Sequence, residues 1–289
     1  MSNSPLPKLP PRQRASHKGD FGRVLIVGGS KGMAGAVALA GISSLRMGAG
    51  LVRLAIPEPI ANLVASFEPS YMTVSLPTDD GVRVSIRAYH ELVKEIEWAD
   101  VVAIGPGLGQ SKDLAQLVRW LFDRTEKPAI FDADALNMLS PLDLSARPAG
   151  PRILTPHPGE LRRLAGKPLA SRDEQIKAAQ SIAAKLGVIV LVKGEGTAIT
   201  DGQTTALNTT GNPGMATGGS GDALTGIIAA LVGQKLSPLE AAILGAHLHG
   251  LAGDLAAAEL GEISLMASDL PRFLPRAIQQ YQRDTASPV

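Results

Sequence analysis

Short apolar runs recur along this chain, separated by segments with helical spacing, and that alternation sets the first expectation. Strands are expected at Val24–Val27, Leu51–Ile56, Val101–Ile104, Ala129–Asp132, Arg152–Thr155 and Val188–Lys193. Most are continuous rather than alternating, the pattern of parallel strands covered on both faces. Thr197–Thr200 and Gln203–Asn208 flank Asp201-Gly202, which reads as a two-residue hairpin. Helices are expected over Ala34–Met47, Leu114–Arg124 and Asp173–Leu186. The clearest follows Gly221, where Leu224, Ile227, Ile228, Leu231 and Val232 fall at i, i+3, i+4, i+7 and i+8. Gly233 is placed to end it. The expected class is α/β: a mostly parallel central sheet, helices on both faces and a small antiparallel extension.

At ~150 residues per domain, 289 residues would allow two domains. No linker-like stretch or internal repeat divides them, so the expectation is one domain over residues 17–280. An irregular, proline-rich arm (1–16) precedes it and a tail (281–289) follows. Composition narrows the function. With 28 basic and 27 acidic side chains, the formal charge of +1 gives no field that draws a protein to nucleic acid or an anionic membrane. Cysteine is absent, which excludes disulfides, thiolate metal sites and thiol nucleophiles. Aromatics make up 3% against 45% hydrophobics, so the core is aliphatic and stacking platforms for single strands are disfavoured. No span approaches the ~18 apolar residues of a membrane helix, and no secretory signal precedes the first strand. A cytoplasmic location is expected.

In such sheets ligands gather at the carboxyl ends of the strands, where the unusual residues of this chain fall. A P-loop is missing, and Gly105-x-Gly107 has Gln110 where a dinucleotide fingerprint needs its third glycine. Asn212–Asp222 crowds glycines and a serine into the start of the clearest helix. Its free amides and dipole suit a phosphate or a developing anion, with Asp222 in the first turn. The plain alternative is that Asp222 only complements the dipole. The glycines of Lys193-Gly194-Glu195-Gly196-Thr197 allow a ring or phosphate to approach closely; the alternative is a tight turn with a solvated lysine. His157, held between two prolines, reads equally as a ligand contact or a turn cap. His247 and His249 lie two apart on a helix, are no metal pair, and read as packing residues. Gly28–Ala36 admits a ligand or a closely packed helix. Asp132 and Asp134 read as turn formers and caps before metal-nucleotide ligands.

Seven segments occur in order: His17–Gly22, Gly28–Ala36, Gly105–Gly109, Asp132–Asn137, Thr155–Glu160, Lys193–Thr197 and Asn212–Asp222. Together they resemble the ADP-dependent NAD(P)H-hydrate dehydratase family of the ribokinase-like superfamily, over roughly residues 17–275. The resemblance implies a three-layer ribokinase-like fold and a lyase that returns S-form hydrated NADH or NADPH to NAD(P)H, consuming ADP and yielding AMP and phosphate. It implies Asp222 as the base and Gly219, Ser220 and Gly221 as an anion hole. Lys193, Gly194, Glu195, Gly196, Thr197 and Gly221 would contact ADP or AMP. Ala36, Gly107, His157 and Asp222 would contact the hydrate, with Ala34 an alternative to Ala36. Mg²⁺ is expected with the nucleotide, without a metal cage of protein side chains. The resemblance further implies a homotetramer and a stand-alone dehydratase whose partner NAD(P)HX epimerase is encoded separately. Two rival readings stay open: a kinase of the same superfamily acting on a vitamin-precursor alcohol, and a non-catalytic module that senses ADP.

Overall fold

The computed structural model describes residues 6–79 and 81–286. Among the described residues eleven strands form: β1 Arg23–Val27, β2 Leu51–Pro57, β3 Met72–Leu76, β4 Thr78–Asp79, β5 Arg83–Val84, β6 Val101–Ile104, β7 Ala129–Phe131, β8 Arg152–Leu154, β9 Ile189–Val192, β10 Ala198–Thr200 and β11 Thr205–Leu207. Nine build one sheet in the order β11-β10-β9-β8-β7-β6-β1-β2-β3. From β3 to β9 the pairing is parallel. β10 and β11 add antiparallel at one end, and β4 and β5 form a separate antiparallel pair.

Ten α-helices accompany them: α1 Ala34–Arg46, α2 Ala61–Ala65, α3 Tyr89–Trp98, α4 Lys112–Arg124, α5 Ala133–Met138, α6 Pro158–Ala165, α7 Arg172–Leu186, α8 Ser220–Gly233, α9 Pro238–Leu260 and α10 Leu270–Ala286. Buried side chains of β1 alternate between two cores. Val24 and Ile26 join α1, α8, α9 and α10 on one face. Leu25 and Val27 join α3, α4, α5, α6 and α7 on the other. The result is three layers, helices–sheet–helices, as the continuous apolar runs required. On the first face α1 and α8 approach so closely that a Cβ at Gly226 would lie 2.0 Å from the Ala40 carbonyl oxygen. Ser44 Oγ donates to the Gly226 carbonyl at 2.8 Å.

Several elements differ from expectation. β3 was not anticipated; it is an edge strand with mostly half-exposed residues, so it lacks the apolar run that marked the others. The connection between β10 and β11 has four residues rather than two, because Asp201 Oδ1 accepts from the amides of Gln203 and Thr204 and closes a wider turn. The segment set apart as a tail continues α10 as far as Ala286, anchored by the buried ring of Tyr281, whose hydroxyl donates to the Pro7 carbonyl. Residues 1–5 of the arm and 287–289 of the tail lie outside the described residues. The described part of the arm has no regular structure but is tied down: Leu6 and Leu9 pack on the first core, and Arg12 donates to the Gly48 carbonyl at 2.7 Å.

Strands β7, β8 and β9 each stop one residue before the expected end. Asp132, Thr155 and Lys193 therefore stand as the first residues beyond the sheet, all on its carboxyl edge.

Candidate active site

The chain runs from β1 outward through β2 to β3, then returns to pair β6 with β1 and continues the other way. The carboxyl ends of β1 and β6 thus flank a switch point, where ligands of open α/β sheets collect. The loops leaving these strands are stitched together there: Gly29 N donates to the Pro106 carbonyl and Ser30 Oγ to the Gly107 carbonyl, each at 2.8 Å. Gly107 has φ +60°, and a Cβ on it would lie 2.9 Å from that of Ala36. Ala36 therefore lies directly against Gly107, whereas Ala34 packs into the core.

A recess lies toward β9. It is a cavity of about 1050 Å³ bordered by the Lys193–Thr197 loop, the 208–217 loop, the start of α8 and the middle of α9. His157, Ser220 and Gly221 also line it. Gly194 (φ +128°) and Gly196 (φ +57°) hold the backbone in conformations that side chains resist, which lays this loop flat along the cavity. Gly219 precedes α8 with φ +99° and packs toward Leu39 and Ala267 rather than into the cavity. Gly221 and Asp222 are the second and third residues of α8, so their amides lack partners within the helix.

Asp132-Ala133-Asp134 lies between the switch point and this cavity, bonded toward each. Asp134 Oδ2 accepts from Gly109 N at 2.8 Å, on the switch-point side. Asp132 is buried behind the cavity-lining Lys193: Oδ1 accepts from Lys193 Nζ at 2.7 Å and Oδ2 from Thr225 Oγ1 at 2.8 Å. Asp132 is thus no cap, and Lys193 is no solvated turn residue. The cap expectation for Asp132 and the alternative reading of Lys193 are both set aside, because a largely buried ion pair is stable only when each charge is met. Burial works against the Lys193 ammonium, but Asp132, Glu160 and Asp222 outweigh it and hold its pKa above the ordinary lysine value.

The same crowding acts in reverse on the acids. Burial, reinforced by the charge of Asp132, pushes Asp222 from 3.8 up to about 7 despite Lys193. Glu160 rises to about 7 by burial, against the pull of Lys193 3.9 Å away. His157 is the N-cap of α6; its Nδ1 accepts from Gly159 N at 3.0 Å. Its Nε2 stands 3.2 Å from Glu160 Oε1, so the network puts the ring proton on Nε2. Burial and the charges of Lys193 and Arg163 hold its pKa below the ordinary histidine value. His157 is both the turn cap and a wall of the cavity.

His249 was read as packing and is not. It reaches from α9 to place Nε2 2.9 Å from the Ser220 carbonyl oxygen, at the mouth of α8. Burial lowers its pKa to about 4, which keeps the ring neutral. Testing helix spacing for a metal pair could not reveal a ring paired with a backbone carbonyl. His247 does pack, its ring edge-on to Tyr281. Among the described residues, no group of three His, Asp or Glu side chains is arranged to hold a metal ion, and no helix is long and apolar enough to cross a membrane.

Sheet order, layers and a cavity beside a helix N-terminus define a ribokinase-like protein. An Enterococcus faecalis structure described as ribokinase-like superposes with a TM-score of 0.80 at 29% identity, covering 94% of this chain and 92% of the other. Phosphofructokinase-2 of Escherichia coli shares the fold alone, at 14% identity and a TM-score of 0.56 over 89% of this chain and 99% of its own. The family model for NAD(P)H-hydrate dehydratase matches residues 24–276, and the chain belongs to that family. The ADP/ATP-dependent NAD(P)H-hydrate dehydratase of Bacillus subtilis, co-crystallised with ATP and Mg²⁺, is 31% identical with a TM-score of 0.80, over 94% of both chains. The bifunctional NAD(P)H-hydrate repair enzyme of Moorella thermoacetica is 44% identical over 286 residues, 98% of this chain and 54% of its own. That of Escherichia coli is 41% identical over 273 residues, 93% and 50% respectively. The chain spans about half the length of these curated relatives.

Proposed function

We propose that this protein dehydrates hydrated NADH and NADPH back to NAD(P)H at the expense of ADP. The observation that carries the reading is the placement of Asp222, with its pKa near 7, at the start of α8 beside the cavity that Lys193–Thr197 borders. A group titrating near neutrality is suited to receive a proton from an alcohol. In this reading the Lys193, Gly194, Glu195, Gly196 and Thr197 loop and Gly221 bind the nucleotide. The amides of Gly219, Ser220 and Gly221 hold the transferring phosphoryl, and preorganised donors of this kind supply much of the rate.

Asp222 takes the proton of the hydrate's hydroxyl as that oxygen attacks the β-phosphorus of ADP, and AMP leaves. Phosphate is a far better leaving group than hydroxide. The carbon–oxygen bond then breaks with the ring nitrogen's lone pair filling in, and the adjacent ring carbon gives up a proton. Ala36 and Gly107 would border the nicotinamide side at the switch point. With both ring nitrogens of His157 engaged within the chain, its contact to the hydrate would use the ring face. Mg²⁺, when bound with the nucleotide, would neutralise charge on its phosphate oxygens. Those oxygens and water would hold it, a donor set of hard oxygens that suits this ion. The reading includes a cytoplasmic homotetramer and an epimerase that supplies the S-form.

The test is to incubate the protein with hydrated NADH and Mg²⁺, with ADP and ATP in parallel, and follow the return of nicotinamide absorbance. ADP should support faster turnover, with AMP and phosphate formed in step with NADH. Phosphorylated product accumulating without NADH would favour the kinase reading. Faster turnover on ATP would overturn the nucleotide assignment.

A further inference from the structure

Asp132 departs from what its position in the chain favours. It is the N-cap residue of α5, where an aspartate ordinarily accepts from first-turn amides, yet its side chain makes no cap hydrogen bond. The next residue, Ala133, has φ +49°, a left-handed conformation that costs energy for any residue with a Cβ. Two local preferences are given up together, and the result is a carboxylate turned across the sheet edge at 1% exposure. One oxygen meets Lys193 of the loop after β9 and the other meets Thr225 of α8. With both oxygens engaged, the carboxylate has one orientation.

The place to which it holds Lys193 is unusual in turn. A Cβ on Gly221 would lie 3.2 Å from Lys193 Nζ and 3.7 Å from Asp132 Oδ2. The ammonium therefore stands against the first turn of α8, where the helix dipole disfavours a cation and favours an anion. It is also not sealed away: a fifth of the Lys193 side chain remains exposed, and it borders the cavity. A lysine serving only to staple β7 to β9 would need neither the exposure nor the proximity to α8.

We propose that Asp132 is a positioning residue that holds the Lys193 ammonium beside the first amides of α8, so that cation and amides together grip the terminal phosphate of a nucleoside diphosphate. The proposal rests on the nucleotide reading above. Thr225 fixes the second oxygen of Asp132 and so sets where Nζ points. The adenosine part of the ligand lies beyond the reach of this network.

The experiment is calorimetric titration of ADP, and separately of adenosine, into wild type, D132N, K193M and the double variant, at fixed Mg²⁺. Asparagine can still accept from Thr225 but presents no charge to Lys193. ADP affinity should fall on the order of 10- to 100-fold in D132N, the scale of a hydrogen bond to a charged group, while adenosine affinity stays within threefold. Because Asp132 acts through Lys193, D132N should cost nothing further in the K193M background. The milder Thr225→Val change should weaken ADP several-fold and leave adenosine alone, which keeps the test available if D132N does not fold. Equal ADP affinity in D132N and wild type, a parallel loss for adenosine, or full additivity with K193M would each overturn the proposal. Wild type that binds neither ligand would instead overturn the nucleotide reading itself.

Discussion

Replacement of Asp222 by asparagine removes one ionisable group and leaves the shape of the side chain almost unchanged. In the folded protein burial and the charge of Asp132 raise this carboxyl from 3.8 to about 7. Between those values the folded protein keeps a proton that the unfolded chain has already released. Stability therefore falls as pH rises through the window, and above it the full difference is felt. At ~1.4 kcal/mol per pH unit the gap amounts to up to about 4 kcal/mol at pH 8. The asparagine carries no charge and escapes that cost. The variant should melt several degrees above wild type at pH 8, at roughly 2 °C per kcal/mol in a chain this size. Near pH 4 the advantage should vanish. Turnover should move the opposite way, falling ~10²–10⁴-fold for loss of a positioned base, and wild-type kcat/KM should decline below about pH 7. A carboxylate that merely complements the helix dipole predicts the reverse on stability, a loss of ~0.3–1 kcal/mol at neutral pH. Thermal melts of both proteins from pH 4 to pH 8.5, beside single-turnover rates, separate the two. A variant no more stable than wild type at pH 8, or one turning over within threefold of it, would refute the reasoning.

Other substitutions test the remaining parts. Gly194→Val should weaken ADP binding, since φ +128° resists any side chain and a branched one would displace the loop from the cavity; calorimetry on a folded variant with unchanged affinity would contradict it. Gly226→Ala should destabilise the fold by ~1–3 kcal/mol through overpacking of α1 on α8, because its Cβ would meet the Ala40 carbonyl oxygen at 2.0 Å; urea unfolding measures it. His249→Phe should keep the packing but remove the hydrogen bond to the Ser220 carbonyl, costing ~0.5–1.5 kcal/mol for one lost hydrogen bond, again read from denaturant midpoints.

The central strands were legible because both of their faces are buried, so each appears as an unbroken apolar run. β3 was not, since an edge strand with half-exposed residues carries no such run. The α8 amides and the loop after β9 were legible from glycines, which mark close approach whatever the ligand. Asp132, Glu160, Thr225 and His249 were misread or passed over. Each acts on a partner distant in sequence: Asp132 meets Lys193 61 positions away and Thr225 93 away. Local rules placed Asp132 correctly at a helix start. They could not say that its side chain would turn away from the helix, because the lysine that draws it comes from another strand.

The contact between α1 and α8 has a consequence during synthesis. Ser44 and the Gly226 carbonyl that accepts its hydrogen bond are separated by 182 residues. At about 5–20 residues per second, roughly 10–35 s pass between translation of the first helix and of the one that covers it. For that interval the faces of β1 and α1 that meet α8 lack the helix that finally covers them. A nascent chain of this topology keeps early hydrophobic surface uncovered throughout that interval, so slower translation of the stretch between the two helices prolongs the exposure.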